Sequence, residues 1–337
     1  MNRTLLKSSL YLALVLMAPV AAAIPVPGLD VADLVARADI VAAGRVGAVV
    51  DHGEAFVDTP SGRTVPARSM TGELLVDYML KGPADVSAVQ FRFVVPDEFI
   101  GYGGVTPGSY RVFFLKRKGD YHEFVSVHHP SVIAAPGVQM QHRSALDRVA
   151  SAVAAVLRSP EMSPERRREA ISVLSNTGGP VSVSALRAGL ADHDQTLRLG
   201  AAAALLLLGD VSALTSAEEA LLDPQPSLSP EILQNLRGGI RVGVKDEAAV
   251  PGLARLLSGG DTETRRAAVE ALRNTSSPSA VTALAKALED TDSDVRYVAV
   301  IGLAEITGQN EWRPGPDEFA EDDARYLRYW RDWARRQ

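Results

Sequence analysis

The sequence DSDVRYVAVIGLAEITG, from Asp292 to Gly308, has the pattern of a helix with one buried face. Its apolar positions begin at Val295 and recur at i+3, i+4, i+8 and i+11, the last being Ile306, which is the spacing of side chains along one side of an α-helix. Asp292 is suited to the N-cap and Gly308 to the position after the last turn. The fold depends on whether this helix occurs once or repeatedly.

The stretch recurs at a fixed interval. Arg296 in DSDVRYVAVIGL aligns with Arg265 in DTETRRAAVEAL, 31 residues earlier, and Arg198 in DQTLRLGAAAAL aligns with Arg167 in SPERRREAISVL at the same interval. The gap between Arg198 and Arg265 leaves room for one more copy, SPEILQNLRGGI. Further amphipathic segments precede the copies: VSVSALRAGL, VSALTSAEEALL, AAVPGLARLL and PSAVTALAKAL. Five helix pairs at a period of 31–36 residues predict an α-solenoid.

Residues 144–308 resemble the short HEAT repeats first described in phycobilisome-lyase-like proteins. The motif that carries the resemblance is an aspartate, an arginine six positions later and then an alanine: Asp192, Arg198 and Ala201 in one copy, and Asp290, Arg296 and Ala299 in another. The resemblance implies that the aspartates and arginines form a hydrogen-bonded ladder between neighbouring units. We therefore expect Asp290 and Arg296 to be partners.

The motif is incomplete in two copies. In the third, Gln234 or a neighbouring residue stands in place of the arginine, and in the first, Glu161 stands in place of the aspartate. A proline-rich link, DPQPSLSP at 223–230, precedes the third copy. We expect the solenoid to be irregular there.

Residues 309–337 are predicted to form a C-terminal capping helix. Leu327, Trp330 and Trp333 recur at helical spacing. Because a repeat array needs an end that faces water, we expect these side chains to cover the apolar face of the last repeat, with a ligand-binding aromatic cluster as the alternative.

Residues 24–143 predict a small antiparallel β-barrel of about five strands. Apolar and polar residues alternate in MTGELLVDYMLKG and VQFRFVV, and SYRVFFLKRKGDYHEFVSV has the pattern of a hairpin with its turn at 118–120. The pieces ARADIVAAGRV, LLVDYMLKGP and GSYRVFFLKR resemble exported netrin-like and tissue-inhibitor-of-metalloproteinase-like barrels, which implies an OB-type barrel. The animal inhibitors act through an N-terminal cysteine. This chain has no cysteine, so protease inhibition is not implied.

The first 23 residues predict a secretory signal peptide. Arg3 and Lys7 precede an apolar run at 10–20, and Ala21 to Ala23 form a small-residue cleavage site. We therefore expect an exported protein, periplasmic or extracellular, with no membrane span after signal cleavage.

Composition argues against several classes of partner and chemistry. Without cysteine there is no disulfide framework and no thiolate nucleophile. The net charge is −6, so the chain lacks the basic excess that drives nucleic-acid binding, and we expect no nucleic-acid partner.

No catalytic, cofactor or metal site is predicted. His122 and Glu123 lack the second histidine of a zinc-protease helix, and His122 and His128 on one strand would lie about 20 Å apart, too far to share a metal. The glycine-rich stretch at 101–108 lacks the lysine and hydroxyl residue of a phosphate-binding loop. Its Tyr102 is a candidate anchor for a partner.

Three residues of one second helix, Arg266, Glu270 and Arg273, lie off its buried stripe. In the HEAT arrays that this half resembles, second helices line the concave surface, so these residues are candidates for binding a protein partner. A merely solvated face is the alternative. The sequence therefore favours an exported, non-enzymatic interaction or scaffold protein. An enzyme accessory or lyase-like HEAT protein, or a β-domain that binds a glycan or small ligand, remain the alternatives.

Overall fold

A computed structural model describes residues 28–58, 62–97, 105–138 and 142–336. The predicted signal peptide and Tyr102 lie outside these ranges, so both stay predictions. The described chain begins with helix α1 (Val31–Arg37), continues through one sheet and ends in a long helical region. This division into a strand-rich and a helical part agrees with the periodicities of the sequence.

The sheet has six strands. They are β1 (Ile40–Asp58), β2 (Thr64–Lys81), β3 (Ala88–Pro96), β4 (Tyr110–Lys118), β5 (Tyr121–Phe124) and β6 (Ser131–Ile133). Hydrogen-bonded neighbours follow the order β1-β2-β3-β5-β4-β6, and β1 also pairs with β4. The pairings of the first five strands therefore form a closed cycle.

One pairing in this cycle differs from the antiparallel prediction. Strands β3 and β5 are parallel, through Phe91 with His122 and Arg92 with Glu123. The direction follows from the other pairs, because β4 is antiparallel to β1 and β5 is antiparallel to β4. The predicted hairpin between β4 and β5 is confirmed, although β5 ends at Phe124 instead of Val127.

Four phenylalanines fill one side of the sheet. The ring of Phe91 lies 5.2–5.8 Å from the rings of Phe93, Phe113 and Phe124. Gly72 on β2 leaves room for the Phe91 ring, because a Cβ at this position would overlap it. The predicted alternation on β3 therefore reflects a real aromatic core.

The five predicted helix pairs are present. They are α2 (Ala145–Arg158) with α3 (Pro164–Thr177), α4 (Gly179–Gly189) with α5 (Gln195–Leu207), α6 (Leu214–Leu222) with α7 (Pro230–Gly243), α8 (Val250–Gly259) with α9 (Thr262–Asn274), and α10 (Val281–Ala287) with α11 (Ser293–Thr307). Helix α11 begins and ends as predicted, since the Asp292 carboxylate accepts the Val295 N–H and Gly308 is left-handed at φ 73°.

The second helices of the pairs form one row. Helices α3, α5, α7, α9 and α11 each pack on the next, whereas the row of first helices is loosest between α4 and α6 and between α8 and α10. The apolar core is continuous from this row into the sheet and includes Val31, Phe114 and Ile133 from the N-terminal half. The helical region and the sheet therefore share a core across the predicted boundary at residues 143 and 144.

The C-terminal cap consists of two helices where the sequence predicted one. Helix α12 (Pro316–Glu321) ends before Asp322, whose side chain caps α13 (Asp323–Ala334) by accepting the Arg325 N–H. Trp330 is fully buried, Leu327 nearly so and Trp333 partly, and α13 contacts α10 and α11 of the last repeat. None of the described helices combines the length and apolar character needed to cross a membrane.

Candidate functional site

Arginines of three second helices link their repeat to the next. In each link the guanidinium reaches an aspartate of the following pair: Arg167 with Asp192, Arg237 with Asp261, and Arg265 with Asp290. For Arg265 the contacts are 2.8 and 3.0 Å long. The ladder implied by the HEAT resemblance is therefore present from α3, α7 and α9 to the repeat that follows each of them.

The expected pairing of the Arg296 and Asp290 side chains is wrong. Arg296 donates to the backbone carbonyl of Asp290 at 3.0 Å, and its carboxylate partner is Asp323, at 3.2 Å in the cap. The carboxylate of Asp290 is held instead by Arg265 of the preceding repeat. An aspartate and an arginine of the same copy meet through the backbone, because their side chains point towards opposite neighbours.

The third copy does contain a ladder arginine. Arg237, three residues after Gln234, donates to Asp261 at 2.6 Å and to the Thr264 hydroxyl at 3.1 Å. Its shifted position explains why the sequence motif did not identify it. Helix α7 therefore connects forward to α9, as α3 and α9 connect to the repeats that follow them.

Hydrogen bonding keeps the ladder aspartates ionised. Burial would raise the pKa of Asp290, but the Arg265 guanidinium and the Asp292 backbone N–H outweigh it and leave the pKa below its usual range. The pKa of Asp192 is likewise lowered, because hydrogen bonds from the Asp194 N–H and Arg167 outweigh desolvation.

The three candidate partner-binding residues on α9 lie together, and about a third of each side chain is exposed: 37% for Arg266, 37% for Glu270 and 35% for Arg273. Arg266 donates to both carboxylate oxygens of Asp292, at 3.0 and 2.7 Å. The Arg266 hydrogen bonds lower the pKa of Asp292 to about 2, against the effect of partial burial.

The other two residues also reach neighbouring helices. Arg273 donates to both oxygens of Glu305 on α11, at 2.6 and 2.8 Å. Glu270 lies 3.9 Å from Arg241 on α7, a much looser pair. The two arginines therefore help to hold α9 on α11, which the sequence did not predict, while Glu270 is the least constrained of the three.

The sheet contributes a second feature that the sequence did not indicate. A groove of about 910 Å³ runs beside β3 and β5, with Phe93 and Phe124 among its apolar lining residues and Arg92 and Lys118 among its charged ones. The segment that follows β5 and residues of α1 complete its lining. Because these segments are far apart in the sequence, no single local motif indicates the groove.

The predicted arrangement of the two histidines does not occur. His122 lies on β5, whereas His128 lies beyond the end of that strand. Across the described ranges, no group of three or more histidine, aspartate or glutamate side chains is arranged to hold a metal ion.

Comparison with sequence families identifies the helix pairs. Residues 150–237 and 229–304 match the family described as HEAT repeats. The C-terminal half of the chain is therefore built of HEAT repeats, as its sequence resemblance implied. No curated protein is significantly similar in sequence to the chain.

Three solved structures show similarity to about half of the chain. An engineered protein from a structural genomics consortium is 24% identical, covering 49% of this chain and 83% of its own, with a TM-score of 0.33. A designed armadillo repeat protein is 18% identical, covering 48% and 82%, with a TM-score of 0.33. Human deoxyhypusine hydroxylase in complex with glycerol is 17% identical, covering 56% and 95%, with a TM-score of 0.21. At these TM-scores the similarities carry no argument about function.

Proposed function

We propose that the protein is an exported, non-enzymatic interaction protein that binds another protein through the row of second helices in its HEAT repeats. The observation that carries this proposal is the unbroken row α3, α5, α7, α9 and α11. Stacked repeats of this kind present an extended surface, and HEAT repeats are commonly used for protein–protein interaction.

Exposed side chains on the second helices support this role. Leu207 and Val242, at the C-terminal ends of α5 and α7, are exposed by 45% and 59%. On α9, the guanidinium groups of Arg266 and Arg273 are fixed by ion pairs while about a third of each side chain remains accessible. A fixed side chain loses little conformational entropy when a partner binds. Exposed apolar groups beside fixed charges form a surface suited to a protein partner.

Glu270 is the residue best suited to test the proposal. Replacing Arg266 or Arg273 would also break hydrogen bonds between α9 and α11, whereas Glu270 has a loose pair with Arg241 and a charge interaction with Arg273 on its own helix. The matched control is Glu219, which is exposed on the first helix α6. The experiment uses the full mature chain, because the sheet and the repeats share one core.

The full chain is immobilised and used to capture proteins from the periplasm and medium of the producing cells. We expect Glu270→Lys to weaken capture of a specific partner about tenfold, while Glu219→Lys captures it like the wild type. Equal capture by all three proteins would show that the second-helix row is not the binding face.

Export rests on the pattern of the first 23 residues. We expect the mature chain to begin at Ile24 and to be recovered outside the cytoplasm. N-terminal sequencing of native material tests this, and a chain that retains residues before Ala21 would contradict it.

We also infer that the N-terminal sheet closes into an OB-type barrel. The pairing of β1 with both β2 and β4 supports this inference, as does the parallel contact between β3 and β5. The groove beside β5 favours a second candidate function, the binding of a glycan or other small ligand, because its volume of about 910 Å³ is in the range of ligand sites. Titration of the protein with a panel of oligosaccharides, followed by isothermal calorimetry, tests that candidate.

A further inference from the structure

The C-terminal cap carries an excess of arginine. Five arginines lie on α13 or directly after it: Arg325, Arg328, Arg331, Arg335 and Arg336. Arg331 pairs with Glu289 and Arg335 with Asp332. The other three are exposed, and within the described ranges none of them has a carboxylate at ion-pair distance. Most arginines of the HEAT repeats, in contrast, are paired.

These three arginines line one cavity of about 540 Å³, together with Trp312 and Tyr329. We call Arg325, Arg328, Arg336, Trp312 and Tyr329 the cap surface. The Trp312 and Tyr329 rings stack with centroids 3.7 Å apart at 6°, and the Arg325 guanidinium lies 5.5 Å from the Trp312 ring. The cap surface therefore places two stacked aromatic rings, which we call the aromatic wall, beside three guanidinium groups.

Hydrogen bonds fix the positions of Trp312 and Tyr329. The indole N–H of the fully buried Trp330 donates to the Trp312 carbonyl at 3.1 Å. The Tyr329 hydroxyl donates to Gln309. A ligand that packs on this wall would meet side chains already in place, which lowers the entropic cost of binding.

The carboxylates in the cavity are already engaged. Asp322 accepts the Arg325 backbone N–H at 3.1 Å, and Asp332 accepts from Arg335 at 3.1 Å. Within the part of the chain that the structure describes, neither carboxylate forms an ion pair with Arg325, Arg328 or Arg336, so these guanidinium groups are available to a ligand. Guanidinium groups bind carboxylates through two parallel hydrogen bonds, so a carboxylate-bearing ligand suits them.

We propose that the cap surface binds an acidic segment of a partner protein, with its carboxylates on Arg325, Arg328 and Arg336 and its apolar side chains against Trp312 and Tyr329. Asp322 and Asp332 also line the cavity. A long, uniformly charged nucleic acid would be repelled by both, whereas a short acidic peptide can place its few carboxylates on the arginines. This site is separate from the second-helix row and does not depend on the function proposed for it.

The test measures fluorescence anisotropy of a short fluorescein-labelled peptide of glutamate, leucine and glycine, titrated with full-length protein at low salt. The test variant combines Arg325→Gln, Arg328→Gln and Arg336→Gln. The matched control combines Arg143→Gln, Arg158→Gln and Arg166→Gln, which removes the same charge from exposed arginines near the first helix pair.

We expect the test variant to bind the peptide at least about tenfold more weakly than wild type, and the control to bind it like wild type. Circular dichroism checks that each variant is folded, and Arg328→Glu alone serves if the triple variant is not. The proposal is overturned if wild type does not bind the peptide, if both triple variants lose the same affinity, or if an oligothymidylate of equal charge binds more tightly.

Discussion

Helices α9 and α11 are joined by charge, whereas helices α5 and α7 are joined by direct contact of their backbones. In the first joint, Arg265, Arg266 and Arg273 reach carboxylates on or just before α11. In the second, no side-chain hydrogen bond links the two helices, both of which lie wholly within the described ranges. Gly239 and Gly243 of α7 instead lie against the backbone of α5. We call these the charged joint and the glycine joint.

The difference between the joints follows from the segments that precede α11 and α7. Before α11, Asp290 and Asp292 lie within one loop and present two carboxylates to α9. Before α7, the residue of the proline-rich link that caps the helix is Ser229, which supplies no charge. Close packing of glycines takes the place of the missing ion pairs. A HEAT array can therefore keep its stacking where its sequence motif is incomplete, but the two joints should respond to different perturbations.

The largest expected effect is on the glycine joint. A Cβ at Gly243 would overlap the carbonyl oxygens of Leu206 and Leu207, and backbone atoms cannot move aside as a flexible side chain can. We expect Gly243→Ala to lower the free energy of unfolding by about 3 kcal/mol, measured by denaturant titration.

The control for this prediction lies on the same helix. A Cβ at Gly238 would have no neighbour within 4 Å, so Gly238→Ala should stabilise the chain by up to about 1 kcal/mol through helix propensity. If Gly243→Ala lowers the free energy of unfolding no more than Gly238→Ala does, the backbones of α5 and α7 are not in close contact and the glycine joint does not exist.

The next largest effect is expected at the charged joint. The Asp290 side chain is only 9% exposed, so Arg265→Ala leaves a nearly buried carboxylate without its cation. We expect this to cost about 2–3 kcal/mol in denaturant titration. Arg198 makes the matched comparison, because it donates to the carbonyls of Asp192 and His193 and, among the described residues, contacts no carboxylate. Arg198→Ala should cost about 1 kcal/mol. Equal costs would mean that the carboxylate adds nothing to the joint.

Features set by neighbours in sequence were predictable. The repeat period, the caps of α11 and the hairpin between β4 and β5 depend on local patterns, and the structure has all of them. The off-stripe positions on α9 are about a third exposed. Their ion pairs with α11 were not predicted, because these depend on how one repeat stacks on the next.

Features set by distant residues were not predictable. The parallel pair of β3 and β5 results from closure of the whole strand cycle. The contact of Arg111 on β4 with Glu169 on α3, 2.8 Å long, crosses the boundary between the sheet and the repeats. Arg237 was missed because it lies one turn later in its helix than the motif requires. In each case the deciding contact is tertiary, and a single sequence does not encode it in a local pattern.

The smallest expected effect is a pH dependence of the free energy of unfolding at the charged joint. Arg266 holds the pKa of Asp292 at about 2 in the folded chain, whereas a free aspartate titrates near 3.9. Because the folded pKa is the lower one, this stabilisation is complete above about pH 5 and is lost as the pH falls towards 2. Asp292→Asn keeps a residue suited to the helix cap but removes the charge. We expect it to cost about 1 kcal/mol at pH 7 and clearly less at pH 3, by denaturant titration at both values. Gly238→Ala has no charge to lose, so its effect should be the same at both. If the cost of Asp292→Asn is also independent of pH, its charge does not stabilise the α9–α11 joint.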